Sequence, residues 1–184
     1  MVLSLVSTPI YTMFWSFRAD GFLCFIDGAC HHTLNLTSTT WVLYSSAEYL
    51  VSSGVVCIGP ATNKITEYRA FIGLMTEAAS QDVHNLVVLM DSQLVVCHLN
   101  HVYTIRNPVL LCLFWRVRLL ERSFETITYR HIPREHNVVA DSLANYILDW
   151  HISHSWHWNQ TWFIVNKQLN THKTHIKYIH HWEI

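Results

Sequence analysis

Apolar residues fall in short blocks along most of this chain, and the spacing inside each block predicts the element it forms. Asn85-Leu86-Val87-Val88-Leu89-Met90 is continuously apolar after its first residue. A run of that length predicts a strand buried on both faces of a sheet. It ends in Asp91. Ser92 then stands as a helix N-cap, and Leu94, Val95 and His98 continue at helical spacing. The pattern puts a carboxylate at the carboxyl end of a central strand, where open α/β sheets place ligands. One such acid, taken alone, is more often an ordinary feature of a strand-to-helix turn.

The other blocks extend the picture. Phe22 to Ile26 reads as a strand ending at Asp27-Gly28, a pair that also signals a turn. Cys30 to Thr40 is polar and loop-like. Trp41 to Tyr44 and Val51 to Ile58 read as strands, the second closed by Gly59-Pro60. Three strands in succession predict an antiparallel meander. A helix follows from Asn63 or Thr66 to about Gln81. Phe71, Leu74, Met75 and Ala78 form its apolar face, and Glu67 stands in its first turn.

Beyond the central strand, Asn107-Pro108 opens a helix that runs to about Ser123. Arg118 and Arg122 share a face of it, which suits a solvated edge or a nucleic-acid contact equally well. Glu125 to Ile132 alternates as a strand, and Pro133 to Asn137 makes a turn. Asn137 caps a last helix from Val138 to about Leu148, with Val139, Leu143 and Ile147 as its buried stripe and Asp141 in its first turn.

Composition narrows the class. The chain has 184 residues and is 51% hydrophobic, enough for one packed domain with extensions. Its formal net charge of −1 does not by itself announce a polyanion-binding protein. The five cysteines include no Cys-x-x-Cys pair, and most sit in apolar runs, which suits reduced thiols and an intracellular setting, cytoplasmic or nuclear. Residues 1–19 form an apolar extension without a basic n-region, interrupted by Pro9. No uninterrupted apolar run reaches the roughly 20 residues of a membrane span. From Trp150 the composition shifts, and residues 149–184 read as a His- and Trp-rich extension. There His151, His154 and His157 could bind a metal if helical, although an incidental His-rich tail is the commoner meaning of such a segment. The domain itself spans residues 20–148.

Four acids thus stand at element ends: Asp27, Glu67, Asp91 and Asp141. Their surroundings are Phe25-Ile26-Asp27-Gly28-Ala29, Ala61 to Ala70, Asp91-Ser92-Gln93-Leu94-Val95-Val96, and His131 to Ala144. With these segments the sequence resembles the ribonuclease H family, type 1, over about residues 20–148. The wording is closest to the ribonuclease H domains of plant gypsy-type retroelement polyproteins. The third and fourth segments are specific, and the first alone is weak.

The resemblance implies an α/β fold, ribonuclease H-like, with a five-stranded mixed sheet flanked by helices. It implies an endonuclease that hydrolyses the RNA strand of RNA–DNA hybrids, acting as a monomer without a small-molecule cofactor or a membrane. The four acids would be the catalytic residues and the ligands of two Mg²⁺ ions, with Mn²⁺ as a substitute. Hard cations of this kind take oxygen donors. His131 would assist product release, unless Arg134 occupies that place. Asn63, Gln93 and Arg134 would contact the nucleic acid. Where many relatives carry glycines after the first acid, this chain has Cys30-His31-His32-Thr33-Leu34-Asn35, and Thr66 stands where alanine is usual. Those departures keep a second reading in view, a catalytically weak or inactive nucleic-acid-binding module derived from a retroelement.

Overall fold

A computed structural model describes residues 21–31, 33, 35–154, 162–166 and 175–178 of the chain. Strands β1 (Phe22–His31), β2 (Leu36–Tyr44) and β3 (Leu50–Cys57) form the expected antiparallel meander. Helix α1 (Asn63–Ser80) leads to β4 (Asn85–Met90). Helices α2 (Gln93–Leu99) and α3 (Pro108–Leu120) follow, then β5 (Thr126–His131) and helix α4 (Val138–His154). Strand β4 lies parallel between β1 and β5. The five expected strands are therefore contiguous, in the order β5-β4-β1-β2-β3. Two more, β6 (Trp162–Asn166) and β7 (His175–Tyr178), continue the sheet beyond β3.

The two-residue period of β1 sorts the helices onto opposite faces. Cys24 and Ile26 pack with Phe71, Leu74 and Met75 of α1 and Phe114 and Val117 of α3. Leu23 and Phe25 pack with Ala140 of α4. A strand covered on both sides buries consecutive residues, which is why Leu23 to Ile26 carries no polar alternation.

Several boundaries differ from those the sequence predicts. Strand β1 does not end at Asp27-Gly28, which makes no turn there; pairing with β2 carries it on to His31. Most of the polar stretch from Cys30 to Thr40 is strand. Thr37, Ser38, Thr39 and Thr40 are buried, and bonds to distant backbone carbonyls offset that burial for the first two, while Thr40 Oγ1 has no partner among the described residues. The Ser38 hydroxyl donates to Ala144 O at 2.7 Å, and the Thr37 hydroxyl to Gly59 O at 2.6 Å. Helix α1 is capped by Thr62, whose hydroxyl accepts from Ile65 N, so Glu67 falls in its second turn. Arg118 is turned inward. It bonds Glu121 at 2.5 Å, Leu99 O and the His101 ring, and Glu121 in turn accepts from Tyr129. That network ties α3 to the end of α2 and to β5.

Residues 1–20, and His157 of the possible histidine cluster, lie outside the described residues, as do the side chains of His151 and His154. Among the described residues no helix is long and apolar enough to cross a membrane.

Trp41 is 3% exposed and lies in a slot between two glycines. A Cβ on Gly54 of β3 would overlap its ring, and one on Gly73 of α1 would stand 2.6 Å from Cζ3. A rigid indole gives way poorly, so the slot exists because neither position has a side chain. Gly54→Ala is expected to lower stability by roughly 1–3 kcal/mol, read as a lower urea midpoint with an unchanged slope. An unaltered midpoint would show that Trp41 sits elsewhere.

Candidate functional site

The parallel pairing of β1 with β4 runs from Phe22↔Leu86 to Phe25↔Leu89. Continuing that register by two residues brings Asp27 level with Asp91, just past the last residue of β4. Asp27 shares the α4 face with Leu23 and Phe25, since side chains alternate along a strand. Glu67 comes from the opposite face, on α1. Gly28 lets it approach: a Cβ there would overlap Thr66 and stand 3.4 Å from Glu67 N. Thr66 keeps its own hydroxyl satisfied by donating to Asn63 O at 2.5 Å.

Asp141 arrives with α4, and the placement of that helix depends on Asn137. Asn137 is fully buried, and its Nδ2 donates to Ile26 O at 2.9 Å, one residue before Asp27. Its carbonyl accepts from Asp141 N at 3.0 Å, so it stands at the helix start. The side chain is spent on the sheet and does not cap the helix, contrary to what the sequence predicts. Nothing local marks this residue, because its partner lies 111 residues away.

The charges of these acids act on one another. Burial, then the neighbouring charge of Asp91, pushes the Asp27 carboxyl up to about 7; Asp141 adds to this, while Gly28 N–H and Arg134 oppose it. Glu67 also rises to about 7, first through burial. The Ser92 hydroxyl draws it down, Asp91 raises it and Lys64 opposes the rise. Asp91 is thus the hub, acting on Asp27 from one side and on Glu67 from the other. Ser92 stands at the N-cap position of α2 without capping it through its side chain. Glu67 Oε2 is buried with no hydrogen-bond partner.

Of the other residues singled out by sequence, Asn63 and Gln93 are the exposed first residues of α1 and α2. His131 is exposed and ends β5 opposite Met90. Arg134 lies in the 3₁₀ turn Arg134–His136 and pairs with Asp141 at 2.6 Å. That places Arg134 in the loop and leaves His131 in the strand.

Carboxylate oxygens are the donors that hard divalent cations take. An orphaned Glu67 oxygen and two carboxyls with raised proton affinity are what such an ion would relieve. The donor set therefore fits in kind. The side chains are not yet closed around a point: among the described residues no three of His, Cys, Asp or Glu are grouped to hold one ion.

A match to the reverse transcriptase-like protein family covers residues 25–147. Ribonuclease HI of Halobacterium salinarum is 34% identical over 125 residues, which are 68% of this chain and 63% of that protein. The crystal structure of ribonuclease H1 from that archaeon superposes with a TM-score of 0.67 over 70% of this chain and 97% of that one. The N-terminal ribonuclease H domain of a Mycobacterium tuberculosis protein, solved as a fusion with maltose-binding protein, gives 0.69 at 28% identity, over 74% of this chain and 99% of that one. A bifunctional protein of M. tuberculosis is 38% identical over 92 residues, which are 50% of this chain; the match spans only 25% of that relative's length.

The raised carboxyls make stability depend on pH in a fixed direction. Folded Asp27 and Glu67 keep their protons up to about pH 7, whereas the unfolded chain loses them near pH 4. The folded state binds more protons in that window, so stability falls as pH rises through it. Asp27→Asn removes one of these charges. In metal-free buffer at pH 8 it is expected to raise the melting temperature by about 4–8 °C, converging with the parent near pH 4. A variant that melts lower than the parent at pH 8 would contradict this account.

Proposed function

This chain belongs to the reverse transcriptase-like family, ribonuclease H in type, and on that premise we propose that it is a metal-dependent endonuclease cutting the RNA strand of RNA–DNA hybrids. The observation that carries the reading is Asp91 acting on both Asp27 and Glu67 at one end of the sheet. Like charges brought to one end of a sheet repel, and bound cations would relieve that repulsion. Two divalent ions, when bound, supply an activated water and stabilise the oxygen that leaves. Asp27, Glu67, Asp91 and Asp141 would hold these ions through their carboxylate oxygens.

The chain's own residues do the rest. The Ile26–Asn137 bond keeps α4, and with it Asp141, against the strand that bears Asp27. Asn63 and Gln93, exposed at two helix starts, contact the hybrid, where 2′-hydroxyls distinguish RNA from DNA across a wide, shallow minor groove. With a net charge of −1, affinity rests on such local contacts more than on a long-range field. Reduced thiols suit the intracellular setting: all five cysteines are free. The second reading, a weak or inactive binding module, draws on Asp141 being held by Arg134 and on Asn35. That residue takes a φ of +50° in the segment where relatives use glycine.

Cleavage of an end-labelled hybrid in Mg²⁺ or Mn²⁺ separates the two. Asp91→Asn is expected to lower the rate by about 10²-fold or more while leaving the circular dichroism unchanged, because it removes charge stabilisation and not packing. Cleavage by the variant at the parent rate would remove the assignment. Binding of the hybrid by the parent without cleavage would favour the module.

A further inference from the structure

The two halves of the site are unequal. Asp27, Glu67 and Asp91 form no ion pair with a Lys or Arg within 4 Å among the described residues, and Glu67 Oε2 lacks a partner. Asp141 is different, because both its oxygens are engaged. Oδ1 accepts from Arg134 Nη2 at 2.6 Å, and Oδ2 accepts from Asn145 Nδ2 at 3.1 Å. The Arg134 charge also reaches Asp27 and Asp91. One guanidinium therefore neutralises the corner that Asp141 contributes.

The pair is also open to water. The Arg134 side chain is 74% exposed, against 28% for Asp141. Ion pairs so exposed are weak. A competitor of higher charge can displace Arg134 without unpacking anything, since the residue sits on a short turn and not in the core. A buried pair would instead close that corner permanently.

We infer that Arg134 is the resident counter-cation of Asp141 and gates the second divalent ion. The inference rests on the two-ion reading above. The first ion enters among Asp27, Glu67 and Asp91 without displacing a protein cation. The second recruits Asp141 only when Arg134 lets go, so the two ions bind with unequal affinity. The released guanidinium presents its fork of N–H donors to a phosphate oxygen of the substrate. Arg134 is in this sense a positioning residue for the ion, with a contact to nucleic acid that follows from its release.

The test is a Mn²⁺ titration of the full chain without nucleic acid, with free Mn²⁺ read by electron paramagnetic resonance. The parent should show a stronger and a weaker binding event. Arg134→Gln should tighten the weaker event by about tenfold, the scale expected when a competing unit charge is removed at contact distance. Arg134→Lys, which keeps the charge, should stay near the parent. Lys64→Gln removes a charge that acts on Glu67 and should move the weaker event by much less. An unchanged weaker event in Arg134→Gln, or equal tightening in Lys64→Gln, overturns the gate. Asp27→Asn reports separately on the site itself. If it binds Mn²⁺ as the parent does, the two-ion reading fails and the gate fails with it. If Asp27→Asn loses the stronger event while Arg134→Gln matches the parent, only the gate is wrong.

Discussion

Parallel pairing between β1 and β4 is the constraint on which the site depends. It fixes Phe25 opposite Leu89, and two further residues along each chain bring two carboxylates level. Their repulsion opposes folding, and core packing around them offsets it. Leu23, Phe25 and Leu89 are sealed on one face, and Cys24, Ile26, Val88 and Met90 on the other. Register is held firmly when both faces are buried, because a slip would move every side chain to the wrong side. The charges can sit close together because the strands that carry them cannot slide.

Two close approaches complete the arrangement. On one face Gly28 admits α1 against the strand, so Glu67 comes near without a long reach. On the other the Asn137 amide fastens α4 to the Ile26 carbonyl. These fastenings flank Asp27 in sequence as well as in space. Farther from the site, Arg118, Glu121 and Tyr129 lock α3 onto the sheet, so that arginine is spent on the fold.

Much of this was legible before any coordinates. Continuous apolar runs located β4 and the core of β1, and helical periodicity located α1 and α3 within a few residues and the start of α4, which runs on past the expected Leu148 to His154. The misjudged part was β2, whose first half is Leu36-Thr37-Ser38-Thr39-Thr40. Hydroxyl residues read as loop because polarity usually means water. Here all four are buried, and Thr37 and Ser38 bond to Gly59 and Ala144, partners that a local window does not contain. The strand continuing past Asp27-Gly28 was hidden for a similar reason. The dipeptide favours a turn, and only pairing with β2 overrides it. In the site, residue types and order identified the acids. The roles of Gly28 and Asn137 depend on contacts across long stretches of chain, which no spacing rule reveals; Arg134 lies only seven residues from Asp141, and what the sequence leaves open is that the two pair.

The indole slot carries a consequence for how this sequence can vary. Trp41, Gly54 and Gly73 belong to a strand, its neighbour and a helix, yet they share one volume. A larger residue at either glycine is admissible only alongside a smaller one at position 41, and shrinking position 41 first leaves a hole that either glycine could later fill. The three positions are therefore epistatic. Among related sequences they should change as a set, and the order of the changes should matter, with passage through the smaller tryptophan replacement being the passable route.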